Sequence, residues 1–422
     1  MLIEFSVANF RSFWEPRKLS MAATPQKDLL DNNTFTSPIS GLPRLLRSAV
    51  VYGPNAGGKS NFIRAMAFVR QFIVASAKEH QEGEGIAVTP FLFNQLGPSQ
   101  PSEFEVQFIQ DGVRYQYGFA ATRERVTNEW LIAYPEGRAQ RWFERNFEPQ
   151  NNDYQWYFGS RFVGRKRQWQ EMTRDNALFL STAVQWNSEQ LKPVFTWFKR
   201  LFVIGHGTLL DPSFSMKACQ DDAKKSRILA FMNEADISIS DILMETKEFS
   251  VEDLPSDMPE PIKEEIRQSM DGKKMMRVGF VHPVSDGVSP VSLPLEEESD
   301  GTRKLFAYAG PWIDILTKGR ILFADELDTS LHPKIMRFLL SLFHNDKINK
   351  ANGQLIFTTH DTSLLDQDLV RRDQVWFIEK DQANTSQLYP LTDFKPRAKE
   401  ALQKGYLNGR YGALPYTREA HF

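Results

Sequence analysis

The run Gly53-Pro54-Asn55-Ala56-Gly57-Gly58-Lys59-Ser60 constrains this chain more than any other stretch. It satisfies G-x-x-x-x-G-K-[ST] and stands where an apolar run, Leu46 to Tyr52, meets a helical pattern, so the order strand, turn, helix is predicted. Beyond the turn Phe62, Ile63, Met66, Val69, Ile73 and Val74 recur at helical spacing through about Lys78. In such a turn the glycines let the backbone curl until its N–H groups face phosphate oxygens, and the helix N-terminus adds its positive dipole end. Lys59 then reaches the outer phosphates and Ser60 offers a hydroxyl to Mg²⁺.

Three further stretches fit that site. The apolar run Ile321-Leu-Phe-Ala324 ends in Asp325-Glu326, and a buried strand delivers its last residues to the carboxyl edge of a parallel sheet, where ligands bind. Asp325 is placed to hold Mg²⁺ and Glu326 to orient or deprotonate an attacking water. Alone, such a pair reads as a solvated turn; beside a phosphate loop it reads as functional. His360 ends another apolar run, Leu355-Ile-Phe-Thr-Thr-His, where it can meet the γ-phosphate. Glu298-Ser299-Asp300-Gly301-Thr302 opens a predicted helix, so Ser299 and Gly301 make either an anion site or a plain N-cap.

The rest of the chain sorts by period. Residues 2 to 8 read as a strand, and from Phe104 to about Phe158 short alternating runs broken at Asp111-Gly112 predict an antiparallel sheet. Residues 174 to 204 return to helix and strand. Residues 211 to 290, with charged helical pieces, many Met, and Pro255, Pro259 and Pro261, read as an inserted helical subdomain. A helix near 302 to 317, a strand 320 to 324, a helix 333 to 344 and strands 354 to 358 and 374 to 379 predict a parallel sheet covered on both faces. The expected domains are 1–95 and 291–422, the two halves of one core, with an antiparallel sheet and connecting helices at 96–205 and the helical insert at 206–290. No heptad run sustains a coiled coil.

Charge and composition narrow the partners. Among 422 residues, 51 basic and 53 acidic side chains leave a net charge of -2, so contact with nucleic acid needs a local patch. One stretch offers it: Arg138, Arg141, Arg145, Arg161, Arg165, Lys166 and Arg167 interleave with Trp142, Phe143, Tyr154, Trp156, Tyr157, Phe158 and Trp169. The stronger reading is an antiparallel sheet whose aromatics face the core and whose arginines face water. A lone cysteine, Cys219, excludes an intramolecular disulfide and a multi-cysteine zinc site, and reads as a small buried side chain. The start lacks a basic and apolar leader and no run is long enough to span a membrane, so a cytoplasmic protein without membrane contact is expected. Asp366 and Asp368 read as a solvated pair instead of a nuclease metal site, because few residues follow His360.

Together the four elements resemble the ATP-binding-cassette ATPases, and within them the SMC-like and overcoming-lysogenization-defect-like branch. Asn9-Phe-Arg-Ser-Phe13, Pro90-Phe-Leu-Phe93, Asn176-Ala-Leu-Phe-Leu-Ser181, Glu298-Ser-Asp-Gly-Thr302, Asp325-Glu-Leu-Asp-Thr-Ser-Leu-His-Pro333, Thr359-His-Asp361 and Tyr406-Leu-Asn-Gly-Arg-Tyr-Gly-Ala-Leu-Pro415 look like the RloA/AbiLii-type abortive-infection ATPases. These islands span almost the whole chain. The resemblance implies an α/β fold: an ABC-type P-loop ATPase core with an antiparallel β subdomain and an inserted helical subdomain. It implies ATP and Mg²⁺ as cofactors, Glu326 as base, His360 at the γ-phosphate, and Ser299 with Gly301 closing the site of a second copy. Two departures stand out: the signature is Glu-Ser-Asp-Gly-Thr, not Leu-Ser-Gly-Gly-Gln, and His332 occupies the place of the usual Asp after Asp325-Glu326. Gln95 is the candidate for the Mg²⁺-sensing Gln.

The function so implied is an ATP-hydrolysing switch of an anti-phage or abortive-infection system, a homodimer or higher homo-oligomer that controls an effector protein encoded nearby. The alternative is an SMC-like DNA-repair ATPase with no toxin partner. The stretch from Tyr406 to Pro415 permits either a docked partner or packing on its own core.

Overall fold

A computed structural model describes residues 1–79, 81–205, 210–248, 258–270, 274–284, 290–398 and 400–415. The chain forms two compact units, Met1–Thr208 with Ile315–Phe422, and Leu209–Asp314.

Two sheets build the first unit. A six-stranded sheet runs Phe202–Ile204, Ile321–Ala324, Gln354–Thr358, Ser48–Tyr52, Val375–Lys380, Ser386–Pro390. The first five strands are parallel, and the last is an antiparallel edge. The strand entering the phosphate loop thus lies beside the strand leading to His360, which lies beside the strand leading to Asp325. Every residue of these three strands is buried, as apolar runs in a doubly covered parallel sheet should be.

The helix Lys59–Glu79 joins this sheet to the second. Its Phe62, Ile63, Met66, Val69, Phe72 and Ile73 are buried. Phe62 stands 5.4 Å from Phe5, which in turn stands 6.3 Å from Phe323 of the parallel sheet. Farther along, Phe72 meets Phe119 at 5.5 Å. The second sheet has seven antiparallel strands, in the order Asp153–Phe158, Gln140–Glu148, Val126–Tyr134, Val113–Ala121, Ser102–Gln110, Leu2–Ala8, Arg17–Ser20. It is continuous across residue 95, because Leu2–Ala8 pairs with Ser102–Gln110. A domain boundary at 95/96 would cut it. The expected P-loop core with an antiparallel β subdomain is the observed architecture.

Most aromatics of the basic and aromatic stretch pack into or against the core beneath this sheet. Trp142, Phe143 and Trp169 are buried, while Arg138, Arg141, Arg161, Arg165 and Arg167 are exposed. Arg145 departs from the expectation: it is fully buried, 3.9 Å from buried Glu129. Glu129 accepts from the backbone N–H groups of Phe179 and Leu180 at 2.7 and 3.0 Å and from the Tyr117 hydroxyl at 3.0 Å. Arg145 donates to the Ala177 carbonyl and lies over the rings of Tyr154 and Trp156. The pair pins the start of the helix Phe179–Gln185 to the sheet.

The second unit holds the helices Ser213–Ala218, Asp222–Glu234 and Glu260–Met270. It also holds an antiparallel sheet of Asp241–Glu248, Lys274–His282 and Val291–Pro294. The insert expected as helical at 206–290 is therefore mixed, and its unit extends to Asp314. Alternation is present in Ile242, Met244 and Thr246 but is interrupted by Leu243 on the other parity. Pro255 lies outside the described residues. Cys219 is buried, and burial pushes its thiol up to about 11. Among the described residues no helix is long and apolar enough to cross a membrane.

Candidate nucleotide site

The phosphate loop follows Tyr52 and curls as its composition requires. Ala56 and Gly58 adopt positive φ, 61° and 124°, the latter comfortable only for glycine. Close packing also leaves no room for a side chain at Gly53 or Gly58. A Cβ on Gly53 would stand 2.0 Å from the Ile378 carbonyl oxygen, and one on Gly58 would stand 2.2 Å from Ser386 Oγ. Ser386 Oγ lies 2.7 Å from the Gly57 carbonyl oxygen and 2.8 Å from Ser12 Oγ, which accepts from Asn61 Nδ2. The loop is thus buttressed by the edge hairpin and by the Asn9-Phe-Arg-Ser-Phe13 turn. Pro54 and Ser60 are half-buried and Asn55 is exposed. Lys59 Nζ donates to the Gly53 and Pro54 carbonyls at 2.8 and 3.1 Å.

Facing the loop are the ends of the two neighbouring strands. Asp325 Oδ1 accepts from the Thr358 hydroxyl at 2.7 Å, and the same Thr358 oxygen accepts from the Glu326 N–H at 2.7 Å. Glu326 has a φ of 47°, a left-handed conformation unusual for Glu, and its Oε1 stands 4.0 Å from His360 Nε2. The Asp328 carboxylate accepts from the His360 N–H at 3.2 Å. Burial pulls the Lys59 ammonium below its ordinary value, while Glu326, Asp325 and Asp328 hold it up. Burial and then the Lys59 charge depress His360, against the pull of Asp328, Glu326 and Asp325. At neutral pH the imidazole is therefore uncharged and keeps one nitrogen free to accept.

A Mg²⁺ ion fits these residues. Asp325 is 5 % exposed, and its Oδ2 is buried with no hydrogen-bond partner, which leaves a carboxylate oxygen available to a cation or its water. Among the described residues no cluster of three His, Cys, Asp or Glu side chains forms a self-sufficient metal cage. Mg²⁺ is commonly held by one or two protein oxygens together with substrate phosphates and water, and Asp325 and Ser60 can supply such oxygens.

The structure brings together Gly53 to Ser60, Asp325, Glu326 and His360 in the first unit. Gln95 is exposed, and among the described residues no hydrogen bond ties its side chain to them. Ser299 lies in the second unit, where its Oγ accepts from the Thr302 N–H at 3.1 Å and caps the helix Asp300–Lys318 ahead of Gly301. His332 is a cap as well, its Nδ1 accepting from the Lys334 N–H at 3.2 Å. The carboxylate beside the catalytic candidates is Asp328 instead. Asp366 accepts from Arg337 at 2.7 Å and from the Asp368 N–H at 3.0 Å, a local brace.

Thr358 and Asp328 escaped the sequence reading. Asp328 was open to view in Asp325-Glu-Leu-Asp328, but Thr358 gains its role only once its strand lies beside that of Asp325. Replacing Thr358 with Val keeps the shape and removes the hydroxyl that orients both carboxylate residues. The Mg²⁺ concentration needed for half-maximal nucleotide turnover should rise by about tenfold, the low end for losing a partner that orients a metal ligand. A metal titration of the two proteins checks it.

Residues 48–366 match the family model described as "AAA domain, putative AbiEii toxin, Type IV TA system". Among solved structures the chain is similar to the SMC head domain from Thermotoga maritima, at 13% identity and a TM-score of 0.41 over 92% of this chain and 98% of that one. It is similar also to an SmcHead bound to the C-winged helix domain of ScpA, at 12% identity and 0.39 over 92% and 96%. A third is the recombination mediator protein RecF with ATP from the RecFOR pathway, at 11% and 0.37 over 92% and 99%. No curated protein matches the sequence.

Proposed function

Because the chain belongs to the AAA-domain family described as putative AbiEii toxin, Type IV TA system, we propose that it is an ATP-hydrolysing switch in defence against phage, acting on a separate effector protein. The observation that carries this reading is the meeting of Lys59, Asp325, Glu326 and His360 at the carboxyl ends of three adjacent parallel strands, with a buried oxygen of Asp325 left without a partner. Bound Mg²⁺ would neutralise phosphate charge and be held by Ser60 and Asp325. The loop N–H groups and Lys59 bind the phosphates, Glu326 takes the proton of the attacking water, and neutral His360 positions that water against the γ-phosphate. Ser299 and Gly301, at a helix N-terminus, close the site of a second copy, so that ATP promotes a homodimer.

The DNA-repair alternative is weakened where Arg145 and three aromatics of the basic and aromatic stretch are spent on packing, while Arg138, Arg141, Arg161, Arg165 and Arg167 stay exposed. Co-expression with the product of the adjacent reading frame tests the switch. The two proteins should elute together, and the amount retained should differ between ATP and ADP. Elution of this chain alone under both nucleotides, with turnover stimulated by double-stranded DNA, would instead support the repair reading.

A further inference from the structure

The segment 400–415 does not offer its aromatic side chains to a partner. Tyr406 and Tyr411 are 5 % and 1 % exposed, and their rings stack on Phe377 at 5.4 and 5.8 Å. Phe377 sits on the strand next to the one entering the phosphate loop. Tyr406 also meets the ring of Tyr52 at 5.6 Å, and Tyr52 immediately precedes Gly53. The Tyr52 hydroxyl donates to the carbonyl of Asp361 at 3.1 Å, one residue past His360. A single phenol therefore ties the entry of the phosphate loop to the peptide that carries His360, and Tyr406 is a wall behind it.

A second tie runs outside the first. Gln403 Nε2 donates to Thr362 Oγ1 at 3.1 Å, and Gln367 Nε2 donates to the Glu400 carbonyl at 2.7 Å. The loop after His360 has only a short 3₁₀ turn, Thr362–Leu364, to hold its shape. Bonds from outside help to fix it: Arg337 donates to the Ser363 carbonyl and to Asp366, Asn33 donates to the Leu369 carbonyl, Asp328 accepts from the His360 N–H, and this segment adds the two bonds above. The segment is itself built for one geometry. Tyr406 donates to the Ala413 carbonyl at 2.9 Å, and the Ala413 N–H donates to Glu379 at 2.7 Å. Gly412 has a φ of 67°, and a Cβ there would stand 2.7 Å from the Tyr389 hydroxyl.

We infer that residues 400–415 are a positioning element of the nucleotide site, which holds Tyr52 against Asp361 and thereby sets His360 relative to the phosphate loop. The inference rests on the reading of His360 as the group that positions the attacking water. Displacement of a reacting group by about an ångström can cost about a hundredfold in rate. Removing the ring with Tyr406→Ala should accordingly lower kcat for ATP hydrolysis by about tenfold or more, with affinity for a non-hydrolysable ATP analogue nearly unchanged. Tyr406→Phe keeps the ring and should restore most of the rate. Gln403→Ala loses one exposed side-chain bond, so it folds, and it should lower kcat by a smaller factor.

Both losses act through His360, so each should vanish when the change is made in a His360→Ala protein. The experiment is that double-mutant cycle on kcat, for Tyr406→Ala and for Gln403→Ala. Non-additive loss in both cycles is the expected result. If His360→Ala is slow and the two changes lower kcat equally with and without His360, the positioning role is overturned and the reading of His360 survives. If His360→Ala turns over like the unaltered protein, both are overturned.

Discussion

Exchanging Glu326 for Gln should lower phosphate release by about 10²–10⁴-fold, the usual contribution of a positioned general base, while ATP remains bound. The change is nearly isosteric. It leaves the Glu326 N–H to Thr358 Oγ1 bond and the approach to His360 in place, and it removes only the basic oxygen. The strained left-handed backbone at Glu326 is the same before and after, so no relief of strain confuses the rate. A protein that binds ATP and cannot cleave it should accumulate in the ATP-bound assembly, and light scattering should show twice the monomer mass on addition of ATP and Mg²⁺. Turnover equal to that of the unaltered protein would remove Glu326 from its role.

The largest effect on stability should come from the antiparallel sheet of the first unit. Glu129→Ala should cost about 3–5 kcal/mol, because it leaves Arg145 as a buried charge without its partner. It also strips the backbone N–H groups of Phe179 and Leu180 and the Tyr117 hydroxyl of their acceptor. The fall in the denaturant midpoint, followed by intrinsic fluorescence, reads it directly. Glu189 forms an exposed pair with Lys192, and Glu189→Ala should leave that midpoint unchanged. Equal midpoints for the two variants would mean that the buried pair contributes no more than a surface one.

The chemistry of the site was legible because it is local in sequence. A strand, a glycine turn and a helix are neighbours along the chain, and apolar runs that end in Asp325 and in His360 announce strands whose last residues reach a sheet edge. What lay hidden depends on pairing. Thr358 contacts Asp325 only because Ala324 is in register with Phe357. Arg145 looked like a surface residue because Trp142 and Phe143, adjacent in sequence, are both buried, so alternation does not reveal the inner face. The register shift between Leu131 and Ile132, opposite Arg141 to Phe143, is where the parity changes. The strand Asp241–Glu248 of the insert was hidden differently, by the apolar Leu243 on its outer parity. The packing of Tyr406 and Tyr411 on Phe377 could not be foreseen either, since it joins the end of the chain to a strand whose place in the sheet the sequence does not state.

The claim on which the rest depends is that Lys59, Asp325 and Glu326 form a Mg²⁺-dependent centre for ATP hydrolysis. Phosphate release from ATP, followed with and without Mg²⁺ for the unaltered protein and for Lys59→Ala, tests it most directly. Release that requires Mg²⁺ and disappears in Lys59→Ala is the predicted result. Release at the same rate from both proteins, or without Mg²⁺, would contradict it.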